Sequence, residues 1–248
     1  MLKVLLAALQ QGYRTSTYPK TVSVLPDRFR GLPVLDRAHC SPGCSLCMDA
    51  CPGDALCAGL KIDLGRCLFC GSCAHACPSG SISFSQDYRL AVRKREDLVL
   101  ENNALKLAGA LDKKSRALFG RSLKLRQVSA GGCNACEADT NVLSTVVYDL
   151  GRFGIQFVAS PRHADGLLIT GPVSRNMVSA LKKTYDAVAW PKLVIAVGAC
   201  AVSGGIYRDH PEVTNGADQL LPVDLYVPGC PPHPLSILDG LLRLLGRI

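Results

Sequence analysis

Two cysteine runs constrain this chain more than any hydrophobic pattern in it, because thiols at such spacing converge on metal whatever else the backbone does. The second run is CLFCGSCAHACP over residues 67–78, a C-x2-C-x2-C-x3-C-P pattern. That spacing ligates [4Fe–4S] clusters, and in two-cluster proteins the fourth cysteine serves the neighbouring cluster. The first run, CSPGCSLCMDACP over residues 40–52, repeats it with one extra residue in the first gap. Short gaps let one loop wrap three corners of a cubane, and the distal cysteine, followed by proline, crosses to the other. The expected quartets are Cys40, Cys44, Cys47 and Cys77 for one cluster, and Cys67, Cys70, Cys73 and Cys51 for the other. Gly43, Ser45, Gly71, Ser72 and Ala74 are small enough to let backbone N–H groups approach the sulfurs. Zinc is the competing chemistry, but structural zinc sites usually pair their cysteines, and two triplets with distant Cys-Pro partners fit it badly. Cys57 is left over and reads as a small buried hydrophobe.

Thirteen cysteines in 248 residues could instead form disulfides, but the number is odd and nothing suggests secretion. The longest early apolar run, Val4 to Leu9, falls well short of the roughly 20 residues a bilayer span needs. It also lacks a clear charged start and a small-residue cleavage site. The expectation is a cytoplasmic chain with reduced thiols and no transmembrane segment of its own. The length allows one or two domains.

The formal net charge of +8 counts every cysteine as neutral. An oxidised cubane core carries about +2 and four thiolates about −4, so each cluster adds roughly −2. Three clusters would bring the holoprotein close to neutrality. The excess base is concentrated: Arg89 to Arg126 holds eleven Lys and Arg against Glu96, Asp97, Glu101 and Asp112. Such a stretch is a solvated face, or a surface that meets an acidic partner or anionic lipid heads. Nucleic acid is the weakest reading, since no reading motif accompanies the base.

Four zones follow. Residues 1–29 are a short amphipathic piece and an extended segment with Pro19 and Pro26. Residues 30–88 hold nine cysteines. Residues 89–124 form a basic linker in which Leu100, Ala104, Leu107, Leu111 and Leu118 recur at helical steps, although Gly109 and Gly120 interrupt it. In residues 125–248, Leu123–Val128, Ile155–Ala159, Gly166–Thr170, Leu193–Val197 and Leu225–Val227 read as short buried strands. Helical stretches near 138–150, 174–187 and 234–246 lie between and after them. That alternation predicts a parallel sheet with covered faces, whose sites collect beyond the carboxyl ends of the strands. The last four cysteines sit there: Cys133 and Cys136 after the first strand, then Cys200 and Cys230. Four thiols at one edge suffice for a third [4Fe–4S] cluster, with zinc or unrelated buried thiols as the alternatives.

The motifs GGCNACE (131–137), SPRHAD (160–165), LLITGPVSRNM (167–177), VGACAVSGGIY (197–207) and LPVDLYVPGCPP (221–232) resemble a known family. It unites the small subunits of energy-converting, formate-hydrogenlyase-like [NiFe]-hydrogenases with the 20 kDa subunit of respiratory complex I. Residues from about Tyr18 to Phe84, including YPKT, LPDRFRG and both cysteine runs, are similar to the dicluster ferredoxin-like partner of those complexes. The chain therefore looks like a fusion of two adjacent subunits. The implied fold class is an α+β ferredoxin-like dicluster domain followed by an α/β flavodoxin-like parallel-sheet domain. The complex I branch carries adjacent cysteines in its first motif. Cys133 and Cys136 stand three positions apart, as in the hydrogenase branch.

The resemblance implies three [4Fe–4S] clusters relaying electrons to or from the active site of a hydrogenase-like large subunit. Membrane-arm subunits would hold the assembly on the cytoplasmic side of the membrane. It also implies a proton-transfer role for Glu137, with a helix-terminal acid favoured by the dipole as the plainer reading. Arg162 and His163 would lie near the third cluster or be structural. The rival readings are a nickel-free, complex-I-like quinone or ferredoxin oxidoreductase, a free-standing polyferredoxin carrier, and a zinc-only scaffold.

Overall fold

A computed structural model describes residues 2–21 and 23–248. The chain starts with helix α1 (Leu2–Gln11), which buries none of its residues. A strap then crosses to the far half of the molecule. Ser16 N–H donates to the Val147 carbonyl at 2.8 Å, and Arg152 donates to the carbonyls of Ser16 and Tyr18 at 2.7 and 2.9 Å. The Tyr18 hydroxyl ends buried, donating to Asp239 at 2.9 Å.

The cysteine-rich half is built from short pieces, because its loops are shaped around thiols. Strand β1 (Pro33–Leu35) precedes α2 (Leu46–Asp49), β2 (Leu56–Cys57), β3 (Lys61–Asp63), α3 (Ser72–Ala76) and β4 (Ile82–Phe84). β1 pairs antiparallel with β4. β2 and β3 form a hairpin, and β5 (Val99–Leu100) adds to its open side. Each cysteine run feeds one helix, α2 carrying Cys47 and α3 carrying Cys73.

The linker departs from the sequence expectation. Helix is confined to α4 (Lys113–Phe119), started by Asp112, whose carboxylate accepts from the N–H groups of Lys114 and Ser115, and to a 3-10 turn at Arg95–Leu98. Leu100 pairs with Ile62 instead. The Ala108 N–H donates to Ala91 and the Leu111 N–H to Leu244, at 2.8 and 2.9 Å. Those backbone bonds lay the segment down away from helical geometry. Of the leucines spaced for a helical stripe, Leu100 and Leu111 are buried in two different cores, Leu107 is half-buried and Leu118 is exposed.

Beyond it come β6 (Leu123–Ser129), α5 (Ala135–Val142), β7 (Ile155–Phe157), β8 (Gly166–Thr170), α6 (Arg175–Ala187), β9 (Leu193–Val197), α7 (Ala199–Ser203), β10 (Leu225–Val227) and α8 (Pro234–Leu244). The five strands make one parallel sheet in the order β10-β9-β8-β6-β7. Counted within the sheet this is 2-1-3-4-5, the order of doubly wound flavodoxin-like sheets. β8 and β9 are buried at every position, as expected of strands covered on both faces. α8 exposes so little that only Arg243 among its residues is not buried.

One face of the sheet shares a core with the cysteine-rich half, in which Leu35, Ile62, Leu64 and Leu98 join Val128, Ile169 and Ala196. The other face packs Leu143, Leu111 and Phe119 with α8. Val92 and Tyr226 exchange backbone hydrogen bonds at 3.0 and 2.9 Å, so the linker also lies along the β10 edge.

Candidate iron–sulfur sites

Parallel strands end at one edge, and there the structure gathers Cys133, Cys136, Cys200 and Cys230. Cys133 lies in the loop after β6, where Asn134 adopts a left-handed conformation (φ 69°) to start α5. Cys136 is in the first turn of α5 and buried. Cys200 is in the first turn of α7, after Ala199, and Cys230 follows β10 through Pro228 and Gly229. Gly198 has φ +91°, and a Cβ built on it would stand 2.5 Å from the Cys136 sulfur. A Cβ on Gly205 would stand 2.7 Å from the Cys200 sulfur. Both glycines keep side-chain bulk away from sulfurs.

The thiols sense one another. Burial chiefly, then the charges of Cys200, Cys230, Glu137 and Cys133, push the Cys136 thiol up. Cys200 is pushed up to about 11, by burial and then by Cys230, Cys133 and Glu137. Cys230 is raised by burial, then by Cys133 and by Cys70 of the other half. Cys136, Cys200 and Cys230, which resist ionising as free thiols, are suited to a cationic core that neutralises them.

Glu137 is buried beside this group. Its Oε1 accepts from the Ser129 hydroxyl at 2.6 Å and the Thr170 hydroxyl at 2.7 Å. The structure does not bring Arg162 and His163 to this edge. Their turn, Pro161–His163, is exposed and precedes β8. The first residue of β8 is level with Leu125, four positions before the end of β6. A parallel strand directs its amino end away from the loops that follow its neighbours, and SPRHAD occupies that end.

In the cysteine-rich half, Cys51, Cys67, Cys70 and Cys73 line one cavity, walled also by Leu56, Ile62 and Phe84. Burial pushes the Cys67 thiol up to about 12, with Cys73, Cys51 and Cys70 adding to it. Cys73 is raised to about 11 by burial and then Cys51. Backbone N–H groups already reach these sulfurs, Ala55 to Cys51 and Phe69 to Cys67, both at 3.3 Å. At Cys70 burial is outweighed by hydrogen bonding with Ser72 and by the Arg30 guanidinium, and the thiol is lowered.

Cys40, Cys44 and Cys47 line a second cavity of about 290 Å³. Burial raises Cys47, and the charges of Cys77 and Cys40 add to it. Cys77 is lowered to about 7, first by the Ser79 hydroxyl and also by Ser81. Cys57 corrects the sequence reading. It is exposed and lines this cavity with the other three, because β2 ends in a turn that faces the Cys40–Cys44 loop. Among the described residues no three His, Cys, Asp or Glu side chains converge on a single-ion site; the thiols stand around spaces.

Sequence reasoning missed Arg30, Ser79, Ser81 and the role of Gly205 beside a sulfur, whereas Gly198 lies within the VGAC motif. Gly205 had a visible signal in the Gly204-Gly205 pair, which points first to a phosphate loop. The two serines follow Cys77-Pro at a spacing that allows a turn back onto the sulfur, a signal as short as any loop serine.

The family described as NADH ubiquinone oxidoreductase, 20 kDa subunit, matches residues 133–244. A 4Fe–4S binding domain matches residues 60–83, which includes the second cysteine run and not the first. A probable membrane-bound hydrogenase subunit of Pyrococcus furiosus is 42% identical over 130 residues, covering 52% of this chain and 78% of that one. Formate hydrogenlyase subunit 7 of Escherichia coli is 44% identical over 128 residues, 52% of this chain and 50% of its own length. An NADH-quinone oxidoreductase subunit of Desulfovibrio desulfuricans is 44% identical over 113 residues, 46% of this chain and 61% of its own. No helix among the described residues is long and apolar enough to cross a membrane.

Proposed function

Because this chain belongs to the family that unites the 20 kDa subunit of NADH–ubiquinone oxidoreductase with hydrogenase small subunits, preceded here by a 4Fe–4S-binding segment, we propose that it relays electrons through three [4Fe–4S] clusters to or from a partner large subunit of a membrane-bound [NiFe]-hydrogenase-like complex. Each cluster, when bound, supplies a one-electron carrier. Cys40, Cys44, Cys47 and Cys77 hold the outermost, Cys51, Cys67, Cys70 and Cys73 the middle one, and Cys133, Cys136, Cys200 and Cys230 the innermost.

The observation that carries this reading is the contact between the loops of the second and third quartets: Ser203, after Cys200, donates to the Gly65 carbonyl at 2.8 Å, and Arg208 donates to the Gly53 carbonyl at 3.2 Å. Gly53 and Gly65 lie between Cys51 and Cys67, in the other half of the chain. A path from the second quartet to the third needs that adjacency. Cys133 and Cys230 are exposed, which suits a third site that faces a docked partner. In this reading the chain contributes no catalytic centre, and Glu137, pinned by Ser129 and Thr170, is a candidate for carrying a proton beside the third site. The exposed base of α4 and its flanks, including Lys113, Lys114, Arg116 and Arg121, supports contact with an acidic membrane-arm subunit or anionic headgroups on the cytoplasmic side.

The similarity to NADH-quinone oxidoreductase subunits supports a second reading, a nickel-free complex-I-like quinone or ferredoxin oxidoreductase. Anaerobic purification of the chain with whatever binds it separates them. The first reading expects about twelve iron and twelve sulfide per chain and nickel in a co-purifying large subunit. An active complex without nickel refutes the hydrogenase version, an iron count near eight refutes the three ligand sets, and a stable isolated monomer favours a free carrier.

A further inference from the structure

Arg30 is a cation with no carboxylate to answer to. It takes part in none of the ion pairs among the described residues. The nearby Asp87 is occupied by Arg89 at 2.7 Å. The guanidinium lies instead on the loop between Cys70 and α3. A Cβ built on Gly71 would stand 2.8 Å from Arg30 Nε, 3.3 Å from Cζ and 3.4 Å from Cδ. Gly71, at φ +82°, accepts that cover because it has no side chain, and the same residue forms part of the wall of the cavity lined by Cys51, Cys67, Cys70 and Cys73.

The backbone around Arg30 is fixed on both sides. Phe29 N–H donates to Pro26, Gly31 N–H to Ser85 and Leu32 N–H to Asp87, all at 2.8 Å. Gly31 also packs its α-carbon so close to the Asp87 carbonyl that no Cβ would fit. A long side chain whose root is held this way, and whose head rests on a cysteine loop, is placed to act on what the loop surrounds.

We propose that Arg30 is a positioning residue that sets the reduction potential of the middle site, by holding an unneutralised positive charge against the Cys70–Gly71 wall of its cavity. The inference rests on the assignment of Cys51, Cys67, Cys70 and Cys73 to one cluster. Reduction there adds one electron and so one negative charge, with no bond made or broken and no proton moved. A fixed cation against the wall stabilises the reduced form more than the oxidised one. Arg30 is exposed, so solvent and salt screen the effect and keep it moderate.

The test is a potentiometric titration of each cluster in the anaerobically purified complex, read by electron paramagnetic resonance, for the wild type, Arg30→Gln and Arg30→Lys, with iron and sulfide counted in each. Arg30→Gln is expected to keep its iron and to hold the middle cluster about tenfold less reduced at a fixed poise, a shift of about 59 mV to lower potential for a one-electron couple. Arg30→Lys, which keeps the charge, is expected to recover most of that shift, and the cluster held by Cys133, Cys136, Cys200 and Cys230 is expected to move less. An unmoved middle potential with full iron overturns the inference and leaves the ligand assignment standing. Equal shifts in Gln and Lys, or loss of the cluster in both, make Arg30 a support for the loop and overturn it too. A wild-type protein without that cluster refutes both the inference and the assignment beneath it.

Discussion

Replacing Gly198 with alanine should remove the third cluster while leaving the other two. The added Cβ would stand 2.5 Å from the Cys136 sulfur, whereas unstrained contacts between heavy atoms of this kind begin near 3.5 Å. Relief therefore needs a displacement of about 1 Å, several times the roughly 0.2 Å within which metal–ligand distances are held. The neighbours give little room, since Cys136 is itself buried and Gly198 is hydrogen-bonded through its N–H to Val227. The substitution also places a side chain at φ 91°, ψ 154°, a region essentially reserved for glycine, which costs about 1–3 kcal/mol regardless of contacts. Gly80→Ala isolates that backbone cost, because Gly80 has φ +65° with nothing within 4 Å of a built Cβ. Both variants should lose stability from backbone strain, Gly198→Ala the more. Only Gly198→Ala should fall from about twelve iron atoms per chain to about eight, with the signals of the two N-terminal clusters intact. Full iron and an unchanged third signal in Gly198→Ala would refute the account of how that site is built.

Other substitutions probe the remaining assignments. Cys57→Ser is expected to leave iron and sulfide unchanged, whereas Cys40→Ser should lose the outermost cluster; iron loss in Cys57→Ser with Cys40→Ser intact would exchange their roles. Tyr18→Phe removes a donor to Asp239, which is 1% exposed and otherwise held by Arg243 at 2.7 Å. Hydrogen bonds to buried charged groups contribute about 1.5–3 kcal/mol, so thermal unfolding should shift down by several degrees, and an unchanged melting curve would remove the strap from the stability of the sheet half. Glu137→Gln preserves an acceptor for Ser129 and Thr170, so iron content should persist; turnover of the assembled complex should fall, and unchanged turnover would make Glu137 purely structural.

Much of the architecture was legible because it rests on periodicity and spacing. Gly166–Thr170, Leu193–Val197 and Leu225–Val227 are strands as the apolar runs imply, and all are buried. The placement of four cysteines at one sheet edge followed from each lying just after a strand of a sheet read as parallel. The linker was not legible in the same way. Its leucines fit a helical stripe, but backbone partners lie far away in sequence, at Ile62, Ala91 and Leu244, and local periodicity carries no information about them. Cys57 was misjudged for a related reason. Nothing in its neighbours tells that β2 ends where it turns outward. The SPRHAD motif matches its family well, yet a motif does not state at which end of a strand it falls, and register with β6 decided that.

The joining of the two halves is more than a tether. Two separate chains that docked in this way would have to offset about 4–15 kcal/mol of lost translational and rotational freedom. In one chain that cost falls away, and the connection itself is laid onto the sheet through Val92 and Tyr226. The contact is then fixed by particular bonds. Ser203 donates to the Gly65 carbonyl at 2.8 Å, Arg208 reaches the Gly53 carbonyl at 3.2 Å and Asp54 at 2.8 Å, and Arg93 donates to the Asp224 carbonyl at 2.6 Å. Gly53 and Gly65 both belong to the segment between Cys51 and Cys67, and Ser203 and Arg208 follow Cys200. The bonds that hold the halves together therefore attach to the loops that carry the second and third quartets. Their spacing is set by the fold and not by the concentration of a partner, which is what the proposed electron path between the second and third quartets requires.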